Sequence, residues 1–261
     1  SWCLPEPTLC PIPWPTDPDA SGGRVAAIHG PDGYGLTMAD STSSRSFFLD
    51  EAVNDYVVSH TTPVDDVQRS LMDATAELGP VARMQIAPDQ GMFLSMLVSA
   101  VRPSFAVEVG TFTGYSSLAI ARALPEGGRL LCCDVSEEWT AMARRHWAMA
   151  GGADRIDLVI APAIDTLRAL PDDRVVDFAF IDADKTGYLD YYGELVPRLS
   201  PHGLIAVDNV LWSGRVVDDR AGGDADTAAL VEFNERVADD DRVEVVLLTV
   251  GDGVTLIRRR A

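Results

Sequence analysis

Lysine is almost missing from this chain. Of its 21 basic residues all but one are arginine, and the exception is Lys185, in the run Phe180-Ile181-Asp182-Ala183-Asp184-Lys185. A guanidinium stays charged at any working pH, whereas an ammonium is compact and can join in proton transfer. One lysine can also be the survivor of a drift toward arginine, so it gains meaning only from its neighbours. Basic charge as a whole is scarce: 21 basic against 40 acidic residues leave a net charge of −19. That balance argues against nucleic acid or an anionic membrane as partner, since both demand a basic face. No apolar run approaches the roughly 20 residues needed to span a bilayer. The four cysteines (Cys3, Cys10, Cys132, Cys133) show neither paired zinc spacing nor a disulfide framework, so a reducing cytoplasm is the expected compartment. Cys132 and Cys133, side by side in an apolar strand pattern, are expected to be buried and inert. The four histidines are scattered without ligand spacing, and the acidic run Asp239-Asp240-Asp241 is expected to be solvated at a helix end.

What the chain does have is enough apolar content, 47%, for one large core. Residues 1–37 carry seven prolines and no sustained periodicity, as expected of a disordered leader, and they lack the pattern of a secretory signal. A chain begun at Met38 is expected to keep activity, and residues 38–261 are expected to form a single domain. From about 48 to 102 the spacing is helical, in three sets: Phe48, Leu49, Val53, Tyr56, Val57; Val64, Val67, Leu71, Leu78; and Met92 to Val101. Then short apolar strands alternate with helices. Strands are expected at Phe105–Val109, Arg129–Cys133, Ile156–Ile160, Val175–Ile181 and Leu204–Val207. Helices are expected at Tyr115–Ala123, Glu137–Ala150, Ile164–Leu170 and Tyr188–Leu199. Strands apolar on both faces and separated by helices imply a parallel sheet covered on both sides. The tail differs: Val243 to Val250, Gly251-Asp252-Gly253, then Val254 to Ile257 reads as a hairpin, so the last strand should run antiparallel.

In open parallel sheets ligands gather beyond the carboxyl ends of the strands. Four strands here end in polar residues. The first leads into Glu108-Val109-Gly110-Thr111-Phe112-Thr113-Gly114-Tyr115-Ser116, whose glycines allow a tight turn and a close approach of backbone to a ligand. The second ends at Asp134, whose carboxylate can hold both hydroxyls of a ribose. These features suit any nucleotide-like cofactor, NAD included, but the three-glycine dinucleotide fingerprint is absent. Glu108 would repel a pyrophosphate and welcome a cationic cofactor. The other two strands end at Asp182, with Asp184 and Lys185 behind it, and at Asp208-Asn209. Two carboxylates and one amide are oxygen donors that suit a hard divalent ion. Helix capping by Asp and Asn is the plainer alternative for any one of them.

Together, Met84-Gln85-Ile86 with Gly91, the Glu108 to Ser116 run, Asp134-Val135-Ser136, the Phe180 to Lys185 run, Asp208-Asn209 and Leu211-Trp212 resemble the cation-dependent class I O-methyltransferases, the family of catechol and caffeoyl-CoA O-methyltransferases. The resemblance runs from about residue 60 to 260. It implies an α/β, Rossmann-like fold: a seven-stranded, mostly parallel sheet with an antiparallel C-terminal hairpin and extra N-terminal helices. It implies S-adenosylmethionine as methyl donor, held by Ile86, Glu108, Gly110, Thr111, Ser116, Asp134, Ala163 and Asp184. It implies Mg²⁺ (or Ca²⁺ or Mn²⁺) on Asp182, Asp208 and Asn209, with Lys185 as catalytic lysine. Trp212 and Ser213 fall where the acceptor is contacted, though many members carry Asn at the position of Ser213. The stretch Trp212 to Asp224 matches the loop that shapes the acceptor pocket. The implied reaction methylates a phenolic hydroxyl of a small vicinal-dihydroxy aromatic, in a homodimer of the kind common in the family. An NAD-dependent oxidoreductase and a non-catalytic binding protein are the rival classes.

Overall fold

The structure, a computed structural model, describes residues 49–218 and 224–260; the expected leader, Cys3, Cys10 and Phe48 lie outside them. Three helices come first: α1 (Glu51–Ser59), α2 (Asp66–Ala76) and α3 (Pro88–Val101). The carboxylate of Asp65 caps α2 by accepting from the Gln68 amide, and Gln68 answers on the Asp65 amide. Pro88 opens α3, where its missing N–H costs nothing. Strand and helix then alternate: β1 (Phe105–Val109), α4 (Tyr115–Ala123), β2 (Arg129–Asp134), α5 (Glu137–Met149), β3 (Ile156–Ile160), α6 (Ala163–Arg168), β4 (Val176–Ile181), α7 (Tyr188–Leu195), β5 (Leu199–Asp208) and α8 (Ala225–Ala238). A hairpin of β6 (Val243–Leu248) and β7 (Val254–Arg259) closes the chain.

The described strands form one sheet in the order β3-β2-β1-β4-β5-β7-β6. All neighbours are parallel except β5 with β7 and β7 with β6. Strand order reverses between β1 and β4, the place where such sheets open a crevice. The alternation of side chains gives the sheet two dry faces. Val107, Leu131, Ala179, Ile205 and Val207 pack on the side of α7 and α8. Ala106, Leu130, Phe178, Phe180 and Ala206 pack on the side of α3, α4 and α5. Both Cys132 and Cys133 are buried, one on each face, as expected of strand cysteines.

The expected elements differ from those observed mostly at their ends. The helix after Lys185 stops at Leu195 rather than Leu199, because Val196–Arg198 tightens into a 3₁₀ turn around Pro197. The strand expected over Leu204–Val207 begins earlier, at Leu199, and reaches Asp208. In α1 the expected apolar set is not the buried one: Leu49, Val53 and Tyr56 are exposed and Asn54 is buried. Asp240 is not simply solvated either, since it accepts from Arg242 and from the Tyr192 hydroxyl at 2.7 Å.

Register decides which residues meet at the crevice. Val109 lies opposite both Cys133 and Ile181, and Ile181 opposite Val207. The next residues on each chain, Gly110, Asp134, Asp182 and Asp208, therefore share one edge. Gly110 has φ +90°, and a β-carbon there would stand 1.9 Å from the Asp182 carbonyl oxygen. Gly114 has φ +93°, and its β-carbon would strike Ala143 of α5 at 2.4 Å. The glycines expected to admit a ligand thus first admit neighbouring protein backbone and helix. Gly114→Ala should cost about 2–4 kcal/mol through overpacking and left-handed strain. Adding Ala143→Gly should recover part of that loss in denaturant unfolding.

Candidate active site

Glu108, next to last in β1, has no solvent exposure and lies on the face shared with Cys132, whose thiol donates to Oε2 at 3.3 Å. Its Oε1, and Thr111 Oγ1 in the turn beyond, are buried without a hydrogen bond. Burial pushes the Glu108 carboxyl up to about 8, against the lowering effect of the Ser116 hydroxyl and the Cys132 thiol. A buried carboxyl with an idle oxygen is costly unless something polar or cationic meets it. The thiols are inert: burial drives Cys133 up to about 12 and Cys132 well above its usual range.

Asp134 is more occupied than expected. Its Oδ2 accepts from the Thr111 and Phe112 amides at 2.9 and 2.8 Å, and its Oδ1 from the Ser136 amide at 2.7 Å. The carboxylate thereby shapes the glycine turn while keeping an acceptor site on Oδ1. Ala161 donates to the Asp134 carbonyl, which brings Ala161-Pro162-Ala163 and the start of α6 beside it. Ala163 is buried there, and Ser116 is buried in the first turn of α4. The glycine turn is also held from behind, by a hydrogen bond of 2.9 Å from Thr75 of α2 to Thr113. Ile86 is buried in the extended segment before α3. Asp184 is turned aside, its carboxylate accepting from Tyr191 of α7 at 2.6 Å.

The second cluster centres on Lys185. Its ammonium, buried between β4 and β5, donates to Asp182 Oδ1 at 3.1 Å, Asn209 Oδ1 at 2.7 Å and the Tyr188 hydroxyl at 2.6 Å. Tyr188 passes the bond on to the Asp208 carbonyl at 3.1 Å. The ring of Trp212 lies with its centroid 5.5 Å from the same nitrogen. Asp182 and Asn209 therefore aim oxygens at one point. Asn209 reaches it from a left-handed backbone (φ 57°), which asparagine tolerates better than most residues. Asp208 is buried, and its carboxyl is pushed up to about 7 by burial and then by the charge of Asp182. The buried Asp208 carboxyl, with the charge of Asp182 beside it, is short of positive charge, and two carboxylates with an amide oxygen are the donors a hard ion takes. Among the described residues no group of three or more His, Cys, Asp or Glu is placed to hold a metal. A cation site here would have to use the Asn209 amide, and the donor set fits one on those terms.

An O-methyltransferase family model matches residues 59–260. The chain belongs to the class I O-methyltransferase family. Many relatives of this methyltransferase carry the name caffeoyl-CoA O-methyltransferase. It is 37% identical over 211 residues to a protein named probable caffeoyl-CoA O-methyltransferase 2 in Dictyostelium discoideum, covering 80% of this chain and 91% of that one. It is 36% identical over 228 residues to the caffeoyl-CoA O-methyltransferase of Eucalyptus gunnii, covering 82% and 90%. Among solved structures, the Bacillus cereus O-methyltransferase in complex with S-adenosylhomocysteine superposes with a TM-score of 0.73 at 30% identity, over 80% of this chain and 97% of that one. TomG of Streptomyces achromogenes in complex with S-adenosylmethionine gives 0.73 at 28%, over 80% and 96%. The oxidoreductase alternative, already without its glycine fingerprint, is overturned by this kinship.

Several residues of the methyltransferase site were not singled out in the sequence. Tyr188 stands three residues after Lys185, a helical spacing that could have marked it. Cys132 faces Glu108 only through register, and Gln90 of α3, buried beside Asp208, carries no local signal. Asp252 was visible only as part of a turn.

The Glu108 shift has a pH consequence. Below about pH 4.5 folded and unfolded chains both hold its proton. Between 4.5 and about 8 only the folded chain holds it, so stability falls as pH rises through this window. In urea unfolding of the cofactor-free protein at pH 5 and 8, Glu108→Gln should remove a loss on the order of 3 kcal/mol.

Proposed function

We propose that the protein transfers the methyl group of S-adenosylmethionine to a phenolic hydroxyl of a small aromatic with vicinal hydroxyls, with a divalent cation held by Asp182, Asp208 and Asn209. The observation that carries this reading is the convergence of the Asp182 and Asn209 oxygens on the Lys185 ammonium, beside a fully buried Asp208. Mg²⁺, Ca²⁺ and Mn²⁺ all suit such donors. When bound, the cation would lower the pKa of a phenol and hold the oxyanion.

The protein's own groups do the rest. Glu108, with an idle buried oxygen, would meet the cationic amino-acid or ribose part of the methyl donor, and the spare acceptor site of Asp134 would take a ribose hydroxyl. Gly110, Thr111 and Ser116 would line the turn, Ile86 would offer its backbone, and Ala163 would sit beside the adenine. Asp184 would need to share its carboxylate with Tyr191 to reach the amino-acid end. Lys185 either adds positive charge beside the phenolate or accepts the departing proton, while Tyr188 fixes the position of Nζ. Trp212 and Ser213 would border the acceptor. Two hydroxyls fixed by one site restrict the angle of attack, and orientation of that kind is worth large factors in rate. The excess of acidic charge supports a small-molecule acceptor rather than nucleic acid or membrane, and a cytoplasmic homodimer is part of the same proposal.

Asp182→Ala and Asp208→Ala should each abolish turnover with Mg²⁺ while calorimetry still shows S-adenosylmethionine binding. Added EDTA should mimic both variants, and persistence of full turnover in EDTA would remove the cation from the reaction. Lys185→Arg keeps charge but not proton acceptance. A rate lowered by about 10²–10⁴ in single-turnover assays would support the base role, and an unchanged rate would rule it out.

A further inference from the structure

The Gly251-Asp252-Gly253 turn looks like a mere hairpin tip in the sequence, yet it is wedged into the active-site edge at three points. A β-carbon on Gly251 (φ +56°) would stand 2.5 Å from Gln90 Oε1, and one on Gly253 (φ +88°) 2.6 Å from Leu211 Cγ. Both neighbours are packed so closely that the turn has no slack. From that seat the Gly253 carbonyl accepts from the Val210 amide at 3.2 Å, and the Asp252 carbonyl from the Leu211 amide at 3.1 Å. The Asp252 carboxylate accepts from the Ser213 amide at 2.6 Å.

Two of these bonds hold the residues that lead into the most strained backbone of the site, and the third falls on it. Trp212, Ser213 and Gly214 are consecutive left-handed residues, with φ of 46°, 55° and 79°. Each non-glycine residue in that region costs about 1 kcal/mol or more, so the turn persists only where its surroundings over-determine it. Within the turn the Gly214 amide donates to the Leu211 carbonyl at 2.8 Å and the Trp212 amide to the Asn209 carbonyl at 3.2 Å. The strain has a product: it lays the Trp212 ring against the Lys185 ammonium and leaves Ser213 facing outward.

We infer that Asp252 is a positioning residue for methyl transfer, its carboxylate and carbonyl clamping the left-handed Trp212–Gly214 turn and so setting the edge along which the acceptor ring lies. This rests on the reading of Trp212 and Ser213 as acceptor contacts. The bond to Ser213 needs an acceptor oxygen at one place, not a charge. Asparagine can supply that oxygen, alanine cannot, and glutamate carries it a methylene too far. Loss of the clamp lets the ring pivot, so the two adjacent hydroxyls compete differently for the methyl group.

The test uses the full chain with Mg²⁺, S-adenosylmethionine and protocatechuate, whose two hydroxyls give distinguishable monomethyl products. Asp252→Ala and Asp252→Glu should each change the product ratio by about fivefold, the worth of one hydrogen bond, and raise the acceptor KM. Asp252→Asn should restore the wild-type ratio. S-adenosylmethionine affinity by calorimetry should be the same in all four proteins. A second measurement needs no turnover: trypsin should cut after Arg215, next to the turn, about fivefold faster in the alanine and glutamate variants than in wild type or Asp252→Asn. An unchanged ratio together with unchanged cleavage would overturn the clamp, as would asparagine behaving like alanine. If the wild type methylates neither hydroxyl, the catalytic reading fails, while the trypsin comparison still decides whether the clamp exists.

Discussion

A single ammonium ties the active edge of this fold together. Lys185 has three donors, and they go to the end of β4, the residue after β5 and the first turn of α7. Its charge offsets the burial of Asp208, which lies beside Asp182 at the ends of adjacent parallel strands. The near absence of lysine elsewhere has its physical counterpart here. The compact ammonium meets a buried tyrosine hydroxyl at 2.6 Å while also reaching two side-chain oxygens in different directions.

The cofactor half of the edge is organised on a different principle. There the carboxylates serve unequal tasks. Asp134 is engaged by three backbone amides and gives the glycine turn its shape, whereas Glu108 is buried with one oxygen that has no partner. Thr75 couples this turn to the helices that precede the sheet, so the N-terminal helices act on the site through packing as well as by covering one face.

The antiparallel hairpin at the end of the chain is more than a closure of the sheet. By pairing β7 against β5 it seats its own tip on the loop that leaves the active edge. Strain in that loop is held by bonds from a segment about 40 residues away in sequence, an arrangement in which loop and hairpin can only be understood together.

Much of the architecture was legible in the amino-acid sequence because it rests on local periodicity. Strands apolar on both faces, the helices between them and the Gly-Asp-Gly hairpin each follow from side-chain alternation and turn chemistry, and polar strand ends such as Asp134, Asp182 and Asp208 mark the working edge. Helix ends were less legible: Pro197 cut one helix short, and the outward face of α1 follows from what it packs on, not from its own pattern. What only tertiary structure decided is which polar atoms meet. The pairing of Glu108 with Cys132, the use of Asp134 on the glycine turn, the closeness of Gln90 to Asp208 and the grip of Asp252 on Ser213 all depend on register between segments distant in the chain. Sequence determines the period of each element, but only packing sets the ångström-scale offsets between them, and hydrogen bonds and charge pairs are decided at that scale.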